Sequence, residues 1–262
     1  MPAAADSLKV GFVGAGNVAT HLAVFLHEQG HDVVAVASRN AESAKTLAEK
    51  VGAVTYEGLT KFPADLDIVI IAASDSEIPN ISSQLPEIKG IVAHTSGSIP
   101  LEALSSHHKR AAVLYPLQTF SKDIPVDLSK VPFFIEATDE KSKEVVEALA
   151  RRISDSVYFA DSDIRAKLHI AGVLSSNFPI YLLEMTRRVL DEAGLPLSTV
   201  KPLVEASVSK AFSTAPLEAL TGPAKRGDKT IVDKQAATFK NELEREIYEA
   251  VSKAILKDFN HI

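Results

Sequence analysis

The sequence predicts an α/β protein in which a doubly wound sheet fills the N-terminal part and an all-α domain follows it. Three observations carry that expectation. Over residues 1–160, short apolar runs alternate with helix-periodic or mixed connectors, the pattern of parallel strands joined by right-handed crossovers. A glycine-rich turn separates the first apolar run from the first helical segment. Beyond about Asp161 the strand-like runs stop, and helical periodicity continues to the C-terminus.

Composition narrows the classes. A chain of 262 residues with 46% apolar and 24% charged residues has the material for two compact units, expected at 1–160 and 161–262. The charge of -6 is spread along the chain without a basic tract, which argues against a nucleic-acid partner. There is no cysteine, so disulfides, thiolate metal sites and cysteine nucleophiles are excluded, and no metal site is expected. Residues 1–7 lack a basic stretch followed by an apolar one, and no apolar run approaches the roughly 18 residues of a membrane span. A cytoplasmic protein with no membrane partner is therefore expected.

The elements follow in order. Residues 8–13 read as a strand, and 17–29 as a helix with Val18, Leu22, Phe25 and Leu26 at helical spacing. The Val-rich run 32–37 suits a strand buried on both faces, and 41–51 is helical. Further strands are expected at 53–56, 67–73, 90–94, 111–115, 132–137 and 156–160. The second domain should open with one long helix, 162–193, kinked by Pro179 and capped by Gly194. Helices near 199–213, 229–240 and 242–259 follow, and the loop LTGPAKRGD at 220–228 interrupts them.

The turn after the first strand reads Gly14-Ala15-Gly16-Asn17-Val18-Ala19, a GxGxxA pattern placed where strand passes into helix. Gly14 permits the tight turn, Gly16 lets backbone approach a pyrophosphate, and Ala19 allows close helix–strand packing. The helix N-terminus adds free amides and a positive dipole beside Asn17 and Val18. A Rossmann dinucleotide-binding domain is implied, with a tight structural turn, or a Rossmann fold for FAD or S-adenosylmethionine, as the alternatives. At the end of the second strand, Ser38-Arg39-Asn40 carries no acid to bind a ribose hydroxyl. The Arg39 guanidinium can instead accept a 2′-phosphate, with Ser38 donating a hydrogen bond, so NADPH is expected over NADH.

Other strand ends should line the nicotinamide half. The fourth gives Ala72-Ala73-Ser74-Asp75 and the fifth His94-Thr95-Ser96-Gly97-Ser98. Ala73, Ser74 and Thr95 are expected to lie against the cofactor, and Ser96 to hydrogen-bond a substrate. His94 reads as a satisfied histidine at a strand end. The segment YPLQTF at 115–120 offers Gln118 and Thr119 to the same cleft.

With these motifs in hand, the chain resembles the NADP-dependent oxidoreductase superfamily of 6-phosphogluconate dehydrogenase and pyrroline-carboxylate reductase. It is more similar to a bacterial branch described as NADP oxidoreductases, in which a helical domain of unknown function follows a Rossmann-like domain. HTSGSIPLE at 94–102, YPLQTFS at 115–121, His169 with Ser176-Asn177, and TGPAKRGD at 221–228 carry the likeness over nearly the whole chain. The resemblance implies NADP as cofactor, a homodimer formed through the helical domain, and a small-molecule substrate it does not name. Better-known relatives use a lysine and an asparagine on the first long helix of the second domain, for which Lys167 and Asn177 are the nearest candidates. Their spacing of ten departs from the usual four and turns them apart by about 80°. His169 and Ser176 are seven apart, nearly on one face, which makes His169 the preferred proton donor. Lys225 or Arg226 could meet an acidic substrate.

The expected function is hydride transfer between NADPH and a small keto or imino substrate. An NADP-binding sensor or scaffold without turnover, and a deazaflavin-dependent NADP reductase, are the alternatives.

Overall fold

The structure, a computed structural model, describes residues 7–262; the reading of the leader region falls, but for Ser7, outside the described residues. Eight strands form one sheet: β1 (Lys9–Val13), β2 (Asp32–Ala37), β3 (Val54–Tyr56), β4 (Ile68–Ile71), β5 (Ile91–His94), β6 (Ala111–Pro116), β7 (Phe133–Ala137) and β8 (Val157–Phe159). Their spatial order is β3-β2-β1-β4-β5-β6-β7-β8. The order reverses between β1 and β4, which opens a crevice beyond the strands' carboxyl ends at that point.

The central strands are apolar on both faces because helices cover both. In β4, Ile68 and Ile70 point into one core and Val69 and Ile71 into the other. The first core is closed by α1 (Asn17–Glu28), α2 (Ala41–Val51) and, from further along the chain, a helix carrying Val146, Leu149 and Ile153. The second is closed by α3 (Ile78–Gln84) and α4 (Glu102–Ser105), together with Phe62 and Leu66. In α1, Leu22 and Leu26 are fully buried, each contributing about 2 kcal/mol, while Ala19 and Ala23 allow close contact with the sheet. The helix that closes the first core is α5 (Glu140–Ile153), whose N-cap Asp139 accepts the Ser142 amide at 3.0 Å. The edges β3 and β8 are three residues each, short enough to limit pairing with other chains.

The sheet departs from the expected all-parallel crossovers at one place. β7 runs antiparallel to β6, and β8 parallel to β7. The connection from Leu117 to Pro132 has no helical period and forms a tight turn closed by a Ser121–Ile124 bridge and a 3-10 turn at Leu128–Lys130, so the chain does not climb back along the sheet and returns in the opposite direction. That leaves residues 117–127 as a loop at the carboxyl end of the sheet.

The change from strands to helices comes at α6 (Ser162–Gly172), capped by Asp161, whose carboxylate accepts the Ile164 amide at 2.8 Å. The chain divides into compact units later, after Asn177. The reason is that α6 is packed on the strand ends: Leu168 adds to the second core, and Arg165 is completely buried. The long helix expected over 162–193 is divided into α6, a π-helical turn at Val173–Asn177, and α7 (Phe178–Glu192). Pro179 has no amide for the Ser175 carbonyl, and its ring crowds that carbonyl; the wider turn relieves both.

The second unit, from Phe178, adds α8 (Lys201–Ser213), α9 (Pro216–Ala219), α10 (Lys229–Ala236) and α11 (Glu242–Asp258). Gly194 ends α7 with a φ of 68°. Its core is thin, centred on Ala224, Val232 and Leu256. The buried Glu244 is paired with Arg188, while Phe212 and Leu203 are 89% and 67% exposed. Lys225 donates to the carbonyls of Glu218 and Leu220, so its ammonium is satisfied within this unit. Among the described residues, no helix is long and apolar enough to cross a membrane.

Candidate active site

A cavity of about 610 Å³ occupies the crevice between β1 and β4. Gly14, Gly16, Asn17 and Val18 line it from the first turn, Ser38 and Arg39 from the end of β2, and Ala73, Ser74 and Thr95 from the ends of β4 and β5. Gly14 has a φ of 116°, and a Cβ there would stand 2.1 Å from the Ala72 carbonyl oxygen, so only glycine lets β1 turn beside β4. Gly16 is the N-cap of α1 without a side-chain hydrogen bond to the first turn, and a Cβ on it would meet open space. Uncapped amides facing an open cavity are the arrangement an anionic pyrophosphate requires, so these residues fit a dinucleotide.

Arg39 is 78% exposed and rests 3.3 Å from the Glu77 carboxylate across the mouth. An exposed pair of this kind is worth little and exchanges readily for a phosphate. Ser38 Oγ accepts the Asn40 amide at 3.3 Å, and Asn40 in turn caps α2 through the Ser43 amide at 2.9 Å. Glu77, Asn80 and Gln84, from the start and body of α3, also face the cavity and were missed by sequence reasoning. Their only signal is the position of Pro79, which marks a helix opening just past the β4 end.

At the end of β5, His94 is buried and its Nδ1 accepts the Ser96 amide at 3.2 Å. Burial, then the Arg165 guanidinium, pushes its pKa down to about 4, so the ring is neutral. Ser96 is also buried, and its Oγ accepts the amides of Ser98 and Ile99, both at 3.1 Å. The hydroxyl expected to meet a substrate thus closes the turn after β5. Ser98 donates to Asp75 at 2.8 Å, tying that turn to the end of β4.

A second cavity, of about 350 Å³, lies where the end of β6 meets α6 and the π turn. Tyr115, Gln118 and Thr119 form one wall; His169, Ser176 and Asn177 form the other. Ser175, Ser176 and Asn177, successive residues of the π turn, all line the cavity. Lys167 is two residues from His169, about 160° away around α6, so it faces away from this group. Arg165, one turn before His169, anchors the helix. It pairs with Glu136 of β7 and donates to the carbonyls of Ala160 at 3.0 Å and Ile99 at 3.2 Å.

The loop after β6 is tied to a residue that lines the first cavity. Asn17 Nδ2, at the head of α1, donates to the Phe120 carbonyl at 2.7 Å, and His21 Nε2 meets the Ser121 carbonyl at 2.9 Å. The loop fixed by these bonds presents Gln118 and Thr119 to the second cavity.

Comparison with known proteins agrees with this architecture. Residues 131–255 match the domain of unknown function DUF2520, and residues 3–89 match shikimate / quinate 5-dehydrogenase. The solved structure described as "putative NADP oxidoreductase BF3122 from Bacteroides fragilis" is 33% identical, with 96% of this chain and 98% of that one covered and a TM-score of 0.88. The chain belongs to the family of that protein, a Rossmann domain followed by a DUF2520 helical domain. A 1-pyrroline-5-carboxylate reductase from Streptococcus pyogenes shares the fold at 16% identity, with 98% and 100% of the two chains covered and a TM-score of 0.61. An imine reductase from Myxococcus stipitatus in complex with NADP+ does so at 13% identity, with 96% and 93% covered and a TM-score of 0.63. No curated protein matches the chain.

Proposed function

We propose that the protein is an NADP-dependent oxidoreductase that reduces a small keto or imino compound, with the cofactor in the first cavity and the substrate in the second. The observation that carries this reading is one loop, bonded at Phe120 to Asn17 of the first cavity and lining the pocket around His169 with Gln118 and Thr119. The family's NADP oxidoreductase member and the NADP+-bound imine reductase support the class.

NADPH, when bound, supplies a hydride to an electrophilic carbon. The chain's own residues do the rest. The backbone from Gly14 to Val18 holds the pyrophosphate, and Arg39 with Ser38 holds the 2′-phosphate. Ala73, Ser74 and Thr95 leave room for the nicotinamide half. At the second cavity the charged His169 ring gives up its Nε2 proton to the substrate heteroatom, which gains the bond that nitrogen loses, and is left neutral with its hydrogen on Nδ1. Ser176 and Asn177 orient the substrate; Lys167 takes no part. The exposed apolar residues of the second unit, Phe212 and Leu203 among them, support a homodimer formed there, which light scattering would test by mass.

The deciding experiment follows NADPH absorbance across a panel of keto acids, cyclic and acyclic imines and a deazaflavin. Turnover with a keto or imino compound is expected. Tight NADPH binding with silence across the panel would overturn the enzymatic reading in favour of a sensor or scaffold.

A further inference from the structure

Three sequence motifs that look unrelated in the chain meet at one aromatic ring. Tyr115, at the end of β6, is buried, and its hydroxyl lies 3.5 Å from His169 Nδ1. Gly97, in the turn after β5, lies against the same ring: a Cβ there would stand 2.5 Å from Tyr115 Cζ. The ring therefore occupies space that only glycine leaves free, and the hydroxyl it carries reaches the imidazole facing the second cavity.

We propose that Tyr115 is a positioning residue that holds the His169 imidazole through Nδ1 and aims Nε2 into the cavity, with Gly97 making room for it. The phenol needs an acceptor for its proton in a buried place, and Nδ1 is the partner within reach. In the neutral ring Nδ1 accepts from the phenol and Nε2 carries the hydrogen. In the charged ring Nδ1–H donates to the phenol oxygen. When the charged ring releases its Nε2 proton, the hydrogen on Nδ1 stays and goes on donating to the phenol oxygen. In the resting tautomer with hydrogen on Nε2 the phenol donates instead. A hydroxyl serves both arrangements where a carboxylate serves only one, so the ring keeps its direction throughout. Burial, and after it the Asp75 carboxylate, holds the phenol above its ordinary range, which keeps its proton in place at neutral pH. The arrangement matters for turnover only if His169 is the proton donor, so this inference deepens the proposed function; the pairing itself is measurable without a substrate.

The test is nitrogen NMR of full-length protein labelled at its histidines, with the His169 signals assigned by loss in His169→Asn and the ring held neutral. In the wild type the Nδ1 resonance should show the upfield displacement of a nitrogen that accepts a hydrogen bond. Tyr115→Phe keeps the ring contact with Gly97 and should return Nδ1 to the position of a free imidazole. Gly97→Ala, which pushes the Tyr115 ring away while leaving the identity of both partners unchanged, should do the same. An Nδ1 signal unmoved by both variants overturns the pairing, whether or not the panel has revealed a substrate. If a substrate is known, Tyr115→Phe should lower kcat with little change in KM and cost nothing further in His169→Asn. A full additional loss in that background would place Tyr115 on the substrate itself.

Discussion

The two cavities are built by different means. The first is centred on backbone, with one turn of chain, two glycines and the uncapped amides of α1 all within residues 13–19, while strand ends and the side chains of Arg39, Glu77, Asn80 and Gln84 complete its rim. The second is made of side chains from segments some fifty residues apart, set in place by the sheet and by a π turn. The lesson is that binding a phosphate can be specified locally, because successive amides suffice. Placing a proton donor needs distant segments held together.

If this contrast is right, substitutions in the second cavity should spare cofactor binding and those in the first should not. The largest effect is expected for His169→Ala, which should lower turnover about 100- to 10,000-fold while leaving NADPH affinity unchanged in a fluorescence titration. Retained turnover would remove the proton donor from the second cavity. Next comes the acid sensitivity of the end of β5. His94 is neutral and buried, so its depressed pKa contributes stability that is full above pH 6.5 and is lost as pH falls towards about 4. Denaturant unfolding should show a loss of about 3 kcal/mol across that window, much reduced in His94→Asn.

Gly14→Ala should follow, with a loss of about 2 kcal/mol in stability, because the new methyl must push the Ala72 carbonyl away at a positive φ. NADPH binding should fall with it. A variant of normal stability and affinity would show that the turn is not held against β4. The smallest effect is expected for Arg39→Ala, about tenfold weaker NADPH binding with NADH unchanged, since the guanidinium is exposed and exchanges Glu77 for the phosphate. Equal losses for both cofactors would break the assignment of this corner to the 2′-phosphate.

Much of the fold was legible because it rests on local periodicity. All eight strands fall on the apolar runs read from the sequence, and α1, α2, α8 and α11 lie close to their expected spans. The reversal at β7 was not legible, since strand direction depends on how residues 117–132 travel, and no periodicity states that. The lining of the first cavity was legible down to Ser38 and Arg39, because strand ends in this topology converge on one crevice. The second was legible only as a set of suspects. His169 and Asn177 reach it, Lys167 faces away and Ser96 is spent on its own turn. Nothing in the pattern distinguishes these outcomes, because rotation about α6 is fixed by the burial of Arg165 and the widening at 173–177.

The sequence by itself determined the two-part architecture, the glycine turn at the head of α1 and the absence of a carboxylate at the end of β2. Each is a property of neighbours along the chain, where hydrogen-bond geometry and apolar period act over a few residues. Tertiary structure alone decided that Gly97, Tyr115 and His169 share one ring's space. It also decided that a loop bonded to Asn17 forms the wall of the second cavity. Those contacts depend on side-chain packing between segments far apart in the chain, and packing is settled only when the whole core is closed.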